Sequence, residues 1–206
     1  MKYIKRTLKF ACLAVIFGII GFLLVRIIVA EYYPHVMKSL YPTEALRQAW
    51  EEDPALQVRR QDLRISYDNA KFAHFMAAYQ YYSPEAKELQ IALRYNNSTL
   101  REMERDFSLP ADSLTADPAL FDITLVDEYG NRARGTCVAA EGHFMYQYMK
   151  IVFSDVSFSA EPGWLRVEIY YHDAVDYEKE AYAMIPLYEK ELEPYDTFFS
   201  LSEVFS

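Results

Sequence analysis

The run from Phe10 to Val25 constrains this chain more than any other feature, because every residue in it is apolar or glycine. Sixteen helical residues cover about 24 Å, and continuing through Arg26 to Ala30 gives about 31 Å. A bilayer hydrocarbon core is roughly 30 Å thick. The segment therefore spans a membrane if Arg26 is tolerated near one end, where its long stem can snorkel to the headgroups. Tyr32 and Tyr33 follow at the level where amphipathic rings settle. Lys2, Lys5, Arg6 and Lys9 precede the run with no acid among them. The positive-inside rule then puts the N-terminus in the cytoplasm and the rest of the chain outside.

A cleaved signal peptide is the rival reading. Its apolar region is usually about 7–15 residues long and ends in a small-x-small site. Here the run is longer, and a cut after Ala30 would have Ile28 at the −3 position. The expectation is a retained single-pass anchor over residues 10–30, contacting the lipid bilayer. A core helix does not fit, since residues 10 to 25 carry no polar face. Ala11, Ala14, Gly18 and Gly21 fall on one helix face with small-xxx-small spacing, a pattern that permits homo-oligomeric packing. Chance supplies the same pattern in many spans. Cys12 reads as a membrane-embedded thiol near the cytoplasmic end.

Beyond residue 30 the chain carries 16 basic and 30 acidic residues, a formal charge of −14. Such a field opposes nucleic acid and anionic headgroups as partners. The 18 tyrosines and 13 phenylalanines speak for a folded domain rather than disorder. Cys137 is the only cysteine outside the apolar run. No intrachain disulfide is then available, and Cys137 is expected to face inward beside Ala133, Gly135 and Ala139.

Residues 1–9 read as a cytoplasmic basic tail, 10–30 as the span, 31–55 as a juxtamembrane stalk with a short helix, and 56–206 as the folded domain. In the stalk, Thr43 can cap "TEALRQAWEED", with Leu46, Ala49 and Trp50 on one face that can dock on the domain. From Leu56 the period changes to two. "LQVRRQDLRISYD", "ELQIALRY", "LFDITLVD", "RARGTCVA", "YMKIVFSDVSF", "WLRVEIYYH" and "EAYAMIPLY" read as strands. Pro186 confines the last to a sheet edge or bulge. Gly130 and Asn131 in "DEYGNR" supply a hairpin turn. "KFAHFMAAYQYY" fits either helix or strand, with strand preferred. "TLREMERDF" reads as one or two helical turns, with Leu100, Met103 and Phe107 on one face.

About seven or eight short strands with turns between them predict a mainly β fold, an antiparallel β-sandwich behind one transmembrane helix. Over roughly residues 56 to 190 the layout resembles the immunoglobulin-like accessory domains tethered to many bacterial membranes. The Cys…Trp…Cys framework of true immunoglobulin domains is missing.

Motifs of the common hydrolase, zincin, nucleotide-binding and dithiol classes are absent from the sequence. "YHDAVDYEKE" groups His172, Asp173, Asp176 and Glu178, yet it lacks EF-hand spacing and a loop glycine, so a solvated acidic loop is the preferred reading. Asp127, Glu128 and Asn131 fit a turn better than a cation loop. His74 and His143 sit among aromatics and read as core or rim residues. Tyr146, Tyr148, Tyr170, Tyr171, Tyr177, Tyr182, Tyr188 and Tyr195 read mostly as sheet core, with an exposed minority open to a partner. Asn96 and Asn97 lie in overlapping N-x-S/T sequons that a strand end explains equally. No residue is assigned as catalytic, cofactor-binding or metal-ligating. The expected function is a non-catalytic interaction module in the cell membrane, with a protein or envelope component as partner. The alternatives are a hydrolase-like envelope enzyme and a sensor whose output comes from a partner.

Overall fold

A computed structural model describes residues 2–32, 38–62, 75–114, 120–143, 146–156, 164–172, 181, 183–188 and 197–205. The chain divides into two compact units, Met1–Pro34 and His35–Ser206.

The first unit is a single helix, α1 (Lys2–Tyr32). Its stretch Lys9–Ile28 is long and apolar enough to cross a membrane, a property that signal sequences share. Large side chains such as Phe10, Ile16, Phe17, Phe22 and Leu24 are exposed around it, as expected of a helix that lacks a polar face. The Arg26 guanidinium lies 6.0 Å from the centre of the Phe22 ring, one turn back.

In the second unit, all strand pairs are antiparallel. The described residues form ten strands: β1 (Gln57–Asp62), β2 (Phe75–Ser83), β3 (Glu88–Asn96), β4 (Phe121–Val126), β5 (Arg132–Arg134), β6 (Thr136–Gly142), β7 (Tyr146–Phe153), β8 (Trp164–Tyr171), β9 (Ala183–Tyr188) and β10 (Thr197–Ser200). They make a six-stranded sheet in the order β10-β1-β2-β3-β7-β6 and a four-stranded sheet in the order β5-β4-β8-β9. Three helices accompany them: α2 (Glu44–Glu52), α3 (Asn97–Asp106) and α4 (Ser202–Phe205).

Alternation builds the core. Phe75, Leu89, Ile91, Leu93, Met149, Ile151 and Phe153 of the larger sheet pack with Phe121, Ile123, Leu125, Val167, Ile169, Ile185 and Leu187 of the smaller one. The two sheets thus share one apolar interior, the arrangement that period-two patterning favours. Leu100 and Met103 of α3 join it, and the Phe107 ring centre lies 4.8 Å from that of Tyr171.

The larger sheet is covered on its other face as well. Leu40, Leu46, Ala49 and Leu56 pack with Val58, Tyr81 and Leu201, so residues 40–56 contribute a helix and two anchors to the folded body. Thr43 Oγ1 caps α2 by accepting from the Leu46 amide. This second layer explains why β3 is buried along nearly its whole length, although its polar positions alternate in sequence.

Three expectations change. Among the described residues the strand count is ten rather than seven or eight, partly because β10 is too short to show a period. "RARGTCVA" is two strands, not one: Arg132–Arg134 pairs with β4, and Thr136–Gly142 pairs with β7 in the other sheet. Gly135 makes that crossing, donating its amide to the Ile123 carbonyl at 2.7 Å. A Cβ there would meet Ile151 Cγ2 at 2.5 Å and Phe153 Cε1 at 2.7 Å. Cys137 is half-buried against the core as expected, but a bulge between Cys137 and Ala139 turns Ala139 to the opposite face, across from Lys150. "KFAHFMAAYQYY" is resolved as strand from Phe75 onward; its earlier residues, His74 among them, lie outside the described residues, as do Leu63, Ile65 and Tyr67.

Candidate interaction face on the four-stranded sheet

With Ile123, Leu125, Val167 and Ile169 turned into the core, the intervening residues of the smaller sheet must face the other way. These are Asp122, Thr124 and Val126 on β4, Arg132 and Arg134 on β5, Arg166, Glu168 and Tyr170 on β8, and Met184 on β9. Register sets them side by side: Glu168 lies opposite Thr124 and Met184, Thr124 opposite Arg134, and Val126 between Arg132 and Arg166.

Glu168 is the hub. Its side chain is only 4% exposed. One oxygen accepts from the Tyr170 hydroxyl at 2.7 Å and from Arg132, and the other accepts from Arg166 at 2.6 Å. Burial by itself would raise the Glu168 pKa; the hydrogen bonds from Tyr170, Arg132 and Arg166 outweigh it and hold the carboxyl below its usual range. Burial, then the bond to Glu168, pushes the Tyr170 phenol upward, so it remains a donor.

Asp122 makes a second centre, 8% exposed at its side chain. Oδ1 accepts from Arg134, and Oδ2 accepts from the Nδ1–H of His172 at 2.8 Å. Here the acids lie beneath and the nitrogen donors above: Arg134 is 70% and His172 56% exposed. The face is thus a row of fixed, charge-assisted hydrogen bonds whose outer rim is cationic. Arginine and methionine in such a row are residue types enriched in protein interfaces.

The sequence candidates fall in different places. His172 joins this face through Asp122 rather than the acidic loop; Asp173, Asp176 and Glu178 lie outside the described residues. Among the described residues, no three His, Cys, Asp or Glu side chains are grouped to hold a metal ion. Asp127 shapes the β4–β5 turn: Oδ1 accepts from the amides of Tyr129 and Asn131, and Gly130 takes φ +83°. Slight desolvation opposes it, but the bonds from Asn131, Tyr129 and Gly130 lower the Asp127 pKa. His143 pairs with Glu141 at 2.8 Å and stands edge-on to Tyr148. Asn96 caps α3 by accepting from the Ser98 amide, and Asn97 accepts from Gln147. Tyr148, Tyr170 and Tyr171 are buried and Tyr146 is half-buried; Tyr177, Tyr182 and Tyr195 lie outside the described residues. Ala11, Ala14, Gly18 and Gly21 are exposed on α1, and nothing lies within 4 Å of a Cβ built at Gly18 or Gly21.

Sequence reasoning missed the Asp122–Arg134 and Arg132–Glu168–Arg166 groups. Their only sequence signal was acids and bases at alternating strand positions, in "LFDITLVD", "RARGTCVA" and "WLRVEIYYH". No protein-family model, no curated protein and no solved structure matches the chain.

Proposed function

We propose that this chain is a single-pass membrane protein, N-terminus in the cytoplasm, carrying an extracytoplasmic, non-catalytic interaction module of immunoglobulin-like topology. The strand orders support the topology. β2-β3-β7-β6 follows the order A-B-E-D, and β5-β4-β8-β9 follows C′-C-F-G, when the strands are lettered along the chain. β1 and β10 extend the first sheet beyond strand A. The four cations before the apolar run support the orientation.

One observation carries the binding role: the outer face of the four-stranded sheet holds Arg132, Arg166, Tyr170, Arg134 and His172 on two buried carboxylates. Side chains fixed before contact lose little conformational freedom on binding. The test is photo-crosslinking in native membranes from Met184, on this face, with Arg101 on α3 as the off-face control. A discrete adduct from position 184 that is absent from 101, and weakened by Glu168→Gln, supports the reading. Equal or no adducts at the two positions overturn it.

The His172–Asp122 pair favours a second reading, an enzyme of hydrolase type. A carboxylate holding one imidazole nitrogen leaves the other able to exchange a proton. Turnover of chromogenic ester, peptide or glycoside substrates by the purified chain, lost in His172→Gln, would favour that reading over the first.

A further inference from the structure

Resting on that interaction face, we infer that its occupant is a short acidic segment of another protein, presenting two or three glutamate or aspartate carboxylates to Arg134, His172 and the arginines beside them. The charge layout motivates this. At Asp122 and Glu168 the negative partners are 8% and 4% exposed, while Arg134 and His172 are more than half exposed. An approaching group therefore meets the Arg134 guanidinium and the His172 imidazole before it meets either carboxylate.

The surrounding domain is acidic, which limits the size of the occupant. Charges farther than about 8 Å are largely screened at physiological ionic strength. A short segment sits within the reach of the local cations. A long polyanion would extend into the field of the remaining acids and be repelled. Chain geometry matches as well. Arg132 and Arg134 are two residues apart on one strand, about 7 Å, the spacing of alternate side chains in an extended peptide. Met184 continues the face on β9 and gives apolar contact that a peptide can use and a polyphosphate cannot.

The experiment uses the full chain in nonionic detergent and a fluorescent decapeptide of alternating glutamate and glycine, read by anisotropy. Controls are the lysine–glycine counterpart and inorganic polyphosphate. We expect the acidic peptide to bind, and binding to fall about tenfold or more in Arg134→Gln/His172→Gln, with Arg101→Gln unchanged. Arg134→Gln leaves Asp122 with one partner fewer, so Asp122→Asn/Arg134→Gln is measured beside it. That pair removes the buried charge with the exposed one, and the same loss is expected. Equal binding by the variants, equal binding of the lysine peptide, or tighter binding of polyphosphate overturns the inference. So does self-association of the chain that these variants abolish, which would make a second copy the occupant. A Met184 adduct with a neutral or basic protein segment would overturn the acidic occupant while leaving the interaction face standing; absence of any Met184 adduct would remove both.

Discussion

The side-chain amide of Gln90 holds the backbone of Tyr41 at both ends. Its Oε1 accepts from the Tyr41 amide at 2.9 Å, and its Nε2 donates to the Tyr41 carbonyl at 2.7 Å. Nε2 also donates to Glu88, which in turn accepts from Thr43. This clamp fastens the segment leading into α2 to the centre of the larger sheet. Each net hydrogen bond is worth about 1 kcal/mol. Gln90→Ala is therefore expected to cost about 2 kcal/mol and to speed hydrogen exchange at the Tyr41 amide. Unchanged exchange there would contradict the clamp.

Gly135 predicts a steric limit. A methyl at this position meets Ile151 and Phe153, and also the Ile123 carbonyl at 3.1 Å. Overpacking of a closed core costs about 1–3 kcal/mol. Gly135→Ala should lower the thermal midpoint measurably, whereas alanine at Gly130, with open space around it, should be felt only through its positive φ. A Gly135→Ala variant as stable as the parent would sink the crossing described above.

Lys150 sets a pH dependence. It is 1% exposed on the outer side of the larger sheet, its Nζ has no hydrogen-bond partner among the described residues, and the Tyr81 ring centre lies 4.2 Å away. Burial pushes its pKa down to about 7. Between about pH 7 and 10.5 the unfolded chain binds one more proton than the folded one, so stability rises with pH across that window. Below about pH 7 both forms are protonated and the full penalty, on the order of 5 kcal/mol, is present. Lys150→Met should raise stability at neutral pH and flatten the alkaline limb. Denaturation curves at several pH values check both; a variant less stable than the parent at pH 7 would refute them.

Glu168 works in the opposite direction. Its lowered pKa contributes stability that is complete above about pH 4.5 and is lost as pH falls through the folded value. Breaking a buried pair costs about 3–5 kcal/mol; with the two arginines about one-third exposed, about 2 kcal/mol is the expectation for Glu168→Gln. The variant should show a shallower acid limb than the parent. An identical acid limb would mean that the carboxylate is not held as described.

Retention of the N-terminal helix is checked directly. The protein should fractionate with membranes through carbonate washing and keep the residues before Glu31. N-terminal sequencing that starts at Glu31 would identify a cleaved signal instead.

Much of the second unit was legible because burial on one sheet face writes itself as alternation. Leu89, Ile91, Leu93 and Tyr95 showed β3, and Trp164 to Tyr171 showed β8 beside β9, with Pro186 at a sheet edge. The same logic failed at "RARGTCVA", where alternation continues through Gly135 although the strand changes sheet. Period two records which face a side chain takes, not which sheet it belongs to. It is also silent on Gln90, a polar position alternating with Leu89 and Ile91 that is buried beneath Tyr41.

The sequence by itself determined the apolar helix, the antiparallel strands and most of the inward set, since these follow from local hydrophobic period and length. The tertiary structure decided which outward residues matter. Asp122 meets Arg134 and His172, and Glu168 meets Arg132, only because β5, β4 and β8 lie side by side in register. Partners 36 and 50 residues apart leave no local period, so only the folding of the sheet reveals that two scattered acids organise one cationic face.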